Sequence, residues 1–350
     1  MPSLDPIGGL LHSKRLKAAF DRIAARRDRP LPAATPRDDE LVTELRRRIA
    51  TLDPPPPGDG QPSERIWRRF VEQFRDTVGR EDPRAFLRWP TIAKAMFVSN
   101  QPYLSVELLS LRARRDWRSR WRPALRESPV GHPVPFWALP WSSGNLIHHA
   151  YHLAQFETRT GRPAERFPAV VEFGGGYGSM CRLLHQLGFS GRYVIYDLPE
   201  FSALQTFYLG SLGLPLVDAD RLAGADRGVV RVSDLPALAR VLRWADASRG
   251  LFVATWSLSE APAHVRETIM PIVEQCAGVL IAYWRNFGEM NNHEYFGRWA
   301  AEHPAFAWSH RPIPSLPGHF YLFGTRLRGA APGFAPPVRR SAPADSTEAR

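Results

Sequence analysis

Two carboxylates and a run of glycines are the residues of this chain best placed to do chemistry. The stretch Val170-Val-Glu-Phe-Gly-Gly-Gly-Tyr-Gly-Ser-Met180 reads as a buried strand, a glycine loop and the start of a helix, and Tyr193-Val-Ile-Tyr-Asp197 as a second strand ending on an acid. Gly174, Gly176 and Gly178, with Gly175 between them, allow φ > 0 and remove Cβ where a backbone must press against a ligand. Asp197 falls 19 positions after Gly178, where a second parallel strand should finish beside the loop and where a carboxylate accepts from ribose hydroxyls. A nucleoside pocket follows, with Leu198 next to its acid.

A dinucleotide fingerprint, Gly-x-Gly-x-x-Gly/Ala, would put Ser179 at its third small position. The spacing that fits is Gly174-x-Gly176-x-Gly178, preceded by Glu172, whose charge would repel a pyrophosphate and suit a cation. S-adenosylmethionine has that character: an ammonium, a sulfonium and a ribose, without phosphate. Glu172 also has a structural reading, as a buried acid that fixes the loop.

Over roughly Ser142 to Arg326 the chain resembles the class I S-adenosylmethionine-dependent methyltransferases. More narrowly, Glu172-Phe-Gly-Gly-Gly-Tyr-Gly178, Tyr196-Asp-Leu-Pro-Glu200 and Ser257-Leu-Ser-Glu-Ala-Pro262 are similar to the bacterial sugar O-methyltransferases. The resemblance implies a Rossmann-like, doubly wound, mostly parallel seven-stranded sheet closed by a C-terminal antiparallel hairpin. It implies adenine recognition at Ser233 and Asp234, although Asp234 serves equally as the N-cap of a helix over 235–245. It also places a substrate-facing group after the fourth strand, where Glu260 stands. Methyl transfer to a sugar hydroxyl needs alignment and a base. Glu260 is the first choice and His293 the rival, while Trp256, Asn286 and Asn292 are candidates to touch the acceptor. A solvated Glu is a weak base, so Glu260 must be buried or have a neighbour that raises its pKa. His148 and His152 stand at i and i+4, a spacing that permits a metal, but no acidic partner in sequence supports a site. A divalent cation is compatible with the family and unsupported by these residues. Two other readings remain: a phenolic or polyketide-like acceptor, and a non-catalytic S-adenosylmethionine-binding scaffold.

Around this core, strand and helix signals alternate from 168 to 284, which implies crossover helices on a parallel sheet, followed by a helix Asn291–Glu302 and strands over 305–311 and His319–Arg326. Residues 1–130 read as a helical accessory or cap region, with helical spacing over 10–27, 39–51, 63–78, 91–98 and 104–120 and a Pro-rich linker over 53–62. Homodimerisation through these helices is one use for them. The methyltransferase domain is placed at 142–328 and a disordered tail at 329–350. Of the net charge of +11, residues 1–130 supply +9 (26 Lys/Arg against 17 Asp/Glu) and the remainder +2 (20 against 18). A near-neutral catalytic half argues against a nucleic-acid substrate, which would need cations along its groove. No apolar run reaches the ~18 residues of a membrane span and no signal-peptide core is seen, so a cytoplasmic protein is expected. Cys181 and Cys276 are expected to be reduced and buried.

Overall fold

The computed structural model describes residues 10–54, 62–327 and 329. Most of the expected linker, and all but residue 329 of the expected tail, lie outside the described residues.

Eight strands form the main sheet: β1 (Ala169–Phe173), β2 (Arg192–Tyr196), β3 (Leu216–Val217), β4 (Gly228–Val232), β5 (Leu251–Thr255), β6 (Gly278–Trp284), β7 (Phe306–Pro312) and β8 (His319–Arg326). They lie in the order β7-β8-β6-β5-β1-β2-β4-β3. Six neighbours run parallel, and β8 is antiparallel to both β6 and β7. All five residues of β1 are buried, the pattern required of a parallel strand covered by helices on both faces. Its alternation sorts the core: Val170 packs with Leu183 and Leu204 of the helices Ser179–Gln186 and Pro199–Ser211, and Val171 with Leu238 and Ile269 of Leu235–Ala245 and Ala263–Gln275. Strand order reverses between β1 and β5, and ligands of open α/β sheets bind in the crevice at such a switch point.

The sheet has one strand more than the seven expected. β3 is only two residues long, Leu216 and Val217 beside Val229 and Val230, too short to show a period of two in sequence. The helix expected over 104–120 stops at Arg112; Asp116 then gathers the side chains of Arg114, Arg120 and Trp121, and a single π-helical turn, Trp117–Trp121, follows.

The N-terminal helices pack directly on this framework. Pro36–Thr51 lies along Pro199–Ser211, and Tyr103–Arg112 along Gly144–Thr160. Trp67, Phe70 and Phe74 of the helix Pro62–Arg80 meet Phe201 edge-on, with ring centroids 6.1, 5.6 and 5.8 Å away. Such pairs add about 0.5–1.5 kcal/mol each beyond their burial. One hydrophobic cluster thereby runs from Leu41 to Phe323, across the expected division between residues 1–130 and 142–328. Both cysteines are free and buried. Among the described residues no helix is long and apolar enough to cross a membrane.

Candidate active site

The loop after β1 has the backbone its glycines permit. Gly174, Gly176 and Gly178 have φ of +68°, +57° and +95°, and Gly178 opens the helix Ser179–Gln186. Space is also restricted: a Cβ on Gly174 would lie 2.3 Å from that of Ser257, and one on Gly175 2.7 Å from Ile195 and 3.0 Å from Glu172 Oε2. Glu172 is buried beneath this loop, where its Oε2 accepts from the Tyr193 hydroxyl at 2.8 Å. Burial pushes its pKa up to about 8, with the nearby Asp197 adding to the rise. Burial thus favours the neutral form of a side chain that props the loop from within. From the N-terminal region Met96 rests over Gly176, its sulfur 3.5 Å from where a Cβ would be. Val98 donates to Asn145 Oδ1, and Asn145 donates to the Tyr177 hydroxyl.

Asp197 ends β2 beside the same loop. Its Oδ2 accepts from the Gly176 amide at 2.9 Å and from Gln205 Nε2 at 3.0 Å, and its Oδ1 from the Leu198 amide at 2.8 Å. Gln205, fully buried, also donates to Gly176 O and so ties acid and loop together. Burial raises the pKa of Asp197 to about 7 against these lowering bonds. With roughly four lone-pair sites and three donors, the carboxylate keeps one further acceptor site. Leu198 and Leu235, at 39% and 44% exposure, stand uncovered just beyond β2 and β4. Between them in sequence, Ser233 shares a 2.7 Å hydrogen bond with Ser202, and Asp234 accepts from the Ala237 amide at 2.7 Å, which makes it the N-cap of Leu235–Ala245.

On the other side of the switch point, β5 runs into Trp256 and the short helix Ser257–Glu260. Trp256 has φ +65° and ψ −37°, uncommon for a bulky residue and the kind of strain that gathers at functional loops. Ser257 donates to Phe173 O and locks this turn onto the glycine loop. Three residues on, Glu260 Oε1 accepts from Trp284 Nε1 at 3.0 Å. Burial lifts its pKa to about 7, with the indole bond opposing the rise. Trp284 stays 40% exposed, and its ring lies 4.1 Å from that of His319. His319 Nδ1 accepts from Trp256 Nε1 at 2.8 Å, and burial holds its pKa down at about 4. The turn is clamped from behind. Buried Arg266 donates to Ala261 O (2.8 Å), Ser259 O (2.6 Å) and Asn292 Oδ1 (2.6 Å), and Asn292 donates to Ser259 O (3.2 Å).

The structure therefore separates the candidates. Glu260 and Trp256 share one turn, which Ser257 seats on the glycine loop, whereas Asn292 spends both polar ends in the clamp. Asn286 is exposed in a small hairpin, Asn286–Phe287 with Met290–Asn291. His293 lies among Tyr283, His310 and Phe320, with Nδ1 3.2 Å from the Tyr283 hydroxyl, and not among the partners of Glu260. His148 and His152 both have Nδ1 engaged, by Glu107 at 2.8 Å and by the Tyr321 hydroxyl at 2.6 Å, and Glu107 also accepts from Ser315. Among the described residues no group of three or more His, Cys, Asp or Glu is arranged to hold a metal. Cavities among the described residues include one of about 480 Å³, lined by Thr77, Glu81, Arg88 and Trp89, and one of about 280 Å³, which touches Pro199, Ser202 and Ser233. Sequence reasoning missed Gln205, Arg266, His319 and Met96. Of these only His319 had a usable signal, since pairing the last strand with β6 sets it opposite Trp284.

No family model matches the chain, and no curated protein does. Solved structures similar to it include a magnesium protoporphyrin IX methyltransferase from Synechocystis with S-adenosylhomocysteine bound (10% identity, 51% of this chain, 83% of that one, TM-score 0.32). Others are an S-adenosylmethionine-dependent methyltransferase from Aquifex aeolicus (13%, 50% of this chain, 98% of that one, TM-score 0.32) and a glycopeptide N-methyltransferase (13%, 50% of this chain, 94% of that one, TM-score 0.32).

Proposed function

We propose that the protein is an S-adenosylmethionine-dependent O-methyltransferase whose acceptor is a hydroxyl of a sugar or glycosylated small molecule. Its adenosyl group would lie across the glycine loop, with a ribose hydroxyl on Asp197 and adenine against the uncovered Leu198 and Leu235. The residues present fit such a group: glycine backbone, one open acceptor site on Asp197 and two exposed leucines at neighbouring strand ends. Ser233 flanks the adenine end, while Glu172 and Asp234 support the loop and the helix start. The cofactor supplies a methyl group on a sulfonium, a carbon open to in-line displacement.

The observation that carries the reading is Glu260, a carboxyl lifted to about 7 and fixed on a turn that contacts the glycine loop. Glu260 would take the proton of the acceptor hydroxyl as that oxygen becomes the nucleophile toward the methyl group the cofactor would supply. A base with a pKa near the working pH is the efficient choice. Trp284 offers an exposed indole beside the base, on which a pyranose ring can stack. The Trp284, His319 and Trp256 wall equally favours a planar phenolic acceptor, the second reading. Both are tested by one screen: calorimetry with S-adenosylmethionine, then methyl transfer to glycosides, nucleotide sugars and catechols. Asp197→Ala is expected to weaken cofactor binding at least tenfold, and Glu260→Gln to leave binding intact while lowering turnover ~10²-fold or more. Full turnover by Glu260→Gln removes the base, and cofactor binding without transfer to any acceptor favours the scaffold reading.

A further inference from the structure

Beside the adenine end of this site lies the 280 Å³ cavity between the helices Pro36–Thr51 and Pro199–Ser211 and the edge of the sheet. Arg48 and Arg231 both line it, with Thr51, Ser202, Thr206 and Ser233. Arg231 projects from β4, and its side chain is only 7% exposed. A guanidinium so deeply placed needs anionic or carbonyl partners for its five N–H groups. It has few: Nη1 donates to Val229 O at 3.1 Å, Nη2 lies 3.9 Å from Asp218 Oδ1, and Nε, wholly buried, has no partner. Asp218 is itself 56% exposed and also lines the cavity, so it is a weak and solvated counter-ion. Arg48 is paired with Glu44 at 2.6 Å on the outer side of its helix. Burial and the charge of Arg48 both press on Arg231 in the direction of losing its proton. Of the hydroxyls, Thr51 and Thr206 donate to Arg48 O and Ser202 O. Ser202 and Ser233 share one hydrogen bond, which leaves one hydroxyl hydrogen of that pair uncommitted.

We infer that this cavity is a binding site for a tetrahedral oxyanion, a phosphate or sulfate group, held between Arg231 and Arg48 and the Ser202–Ser233 pair. An oxyanion supplies what Arg231 lacks, acceptors in the plane of a guanidinium, and charge-assisted bonds of this kind are about twice as strong as neutral ones. The volume lies at the small end of ligand pockets, which suits an isolated phosphoryl or sulfuryl group rather than a whole nucleotide. Asp218 opposes the anion and is displaced toward solvent, where most of its surface already is.

The test uses the full chain without cofactor, so its outcome is independent of methyl transfer. Thermal unfolding is followed against inorganic phosphate, sulfate and glucose 1-phosphate, each matched to sodium chloride of equal ionic strength. A saturable rise in Tm beyond the chloride control is expected for phosphate and sulfate. An equal or larger response to glucose 1-phosphate assigns the anion to a phosphorylated small molecule, and its absence assigns it to the free ion. Arg231→Gln should weaken the half-saturating concentration at least tenfold. Arg48→Gln, at a helix position whose side chain is 41% exposed, should weaken it several-fold and keeps the test decisive if the buried variant fails to fold. Phosphate and sulfate acting no better than chloride, or Arg48→Gln responding like the parent, overturns the assignment.

Discussion

At the scale of single residues, the chemistry turns on how burial sets the charge of a few acids. Glu260 is a base only when ionised, so turnover should rise with pH and level off above about 7, the value to which burial lifts it. Trp284 holds that value down through its indole N–H. Trp284→Phe keeps the aromatic cover and removes the donor, so the rising limb should move to higher pH. A pH profile of kcat at saturating acceptor checks it; an unmoved limb means that Glu260 is not the group titrating. The family resemblance is what singled out Glu260, by placing a substrate-facing group after strand β5. Sequence was not enough for Asn292. That residue was a candidate acceptor contact, yet its amide is consumed by Arg266, 26 residues away, and Ser259, 33 away. No local pattern announces such partners.

At the scale of elements, the strand, loop and strand from Ala169 to Asp197 were legible almost residue by residue, since glycines and apolar runs act locally. Strand β3 and the turn at Trp117–Trp121 were not, the first being too short and the second decided by where Asp116 finds its partners. The glycine loop also gives a comparison between two positions with the same φ. Gly174 and Gly161 both sit at +68°, but a Cβ on Gly161, the C-cap of Gly144–Thr160, meets nothing within 4 Å, whereas one on Gly174 runs into Ser257. Gly161→Ala should therefore cost only the left-handed penalty, about 1–2 kcal/mol. Gly174→Ala carries the same penalty and must also move the Trp256–Glu260 turn, so it should cost more and impair turnover in folded protein. Urea unfolding of both variants, with turnover measured alongside, decides it. Equal losses of stability with normal turnover would mean that the turn is not seated on the loop.

At the scale of the whole molecule, the sequence reads as a helical region and a separate methyltransferase-like domain, but the apolar surfaces of residues 41–125 and of the sheet are buried against each other. Which faces meet across such distances is decided by tertiary packing, and helical periodicity only says that a face must be covered. A shared core should unfold in one cooperative step, so linkage between protons and stability can be read on a single transition. Two sets of buried groups then act in opposite directions. His152 and His319 have folded pKa values below the ordinary 6.5, so they take stability away as pH falls below about 6.5 and are silent above it. Glu172 is the reverse, raised from 4.5 to about 8; the folded state binds its proton more tightly, and that stability is full below about 4.5 and lost as pH rises through about 8. Asp197 and Glu260 act in the same sense up to about 7. Between pH 6.5 and 8 only the acids contribute, and the free protein should lose about 1–2 kcal/mol for Glu172 alone, at up to ~1.4 kcal/mol per pH unit. Glu172→Gln keeps an oxygen for the Tyr193 hydroxyl and has no proton to lose, so its stability should stay flatter over that window and exceed that of the parent at pH 8. Parallel curves for parent and variant would show that Glu172 is ionised in the folded protein at neutral pH, and so available to a cationic ligand after all.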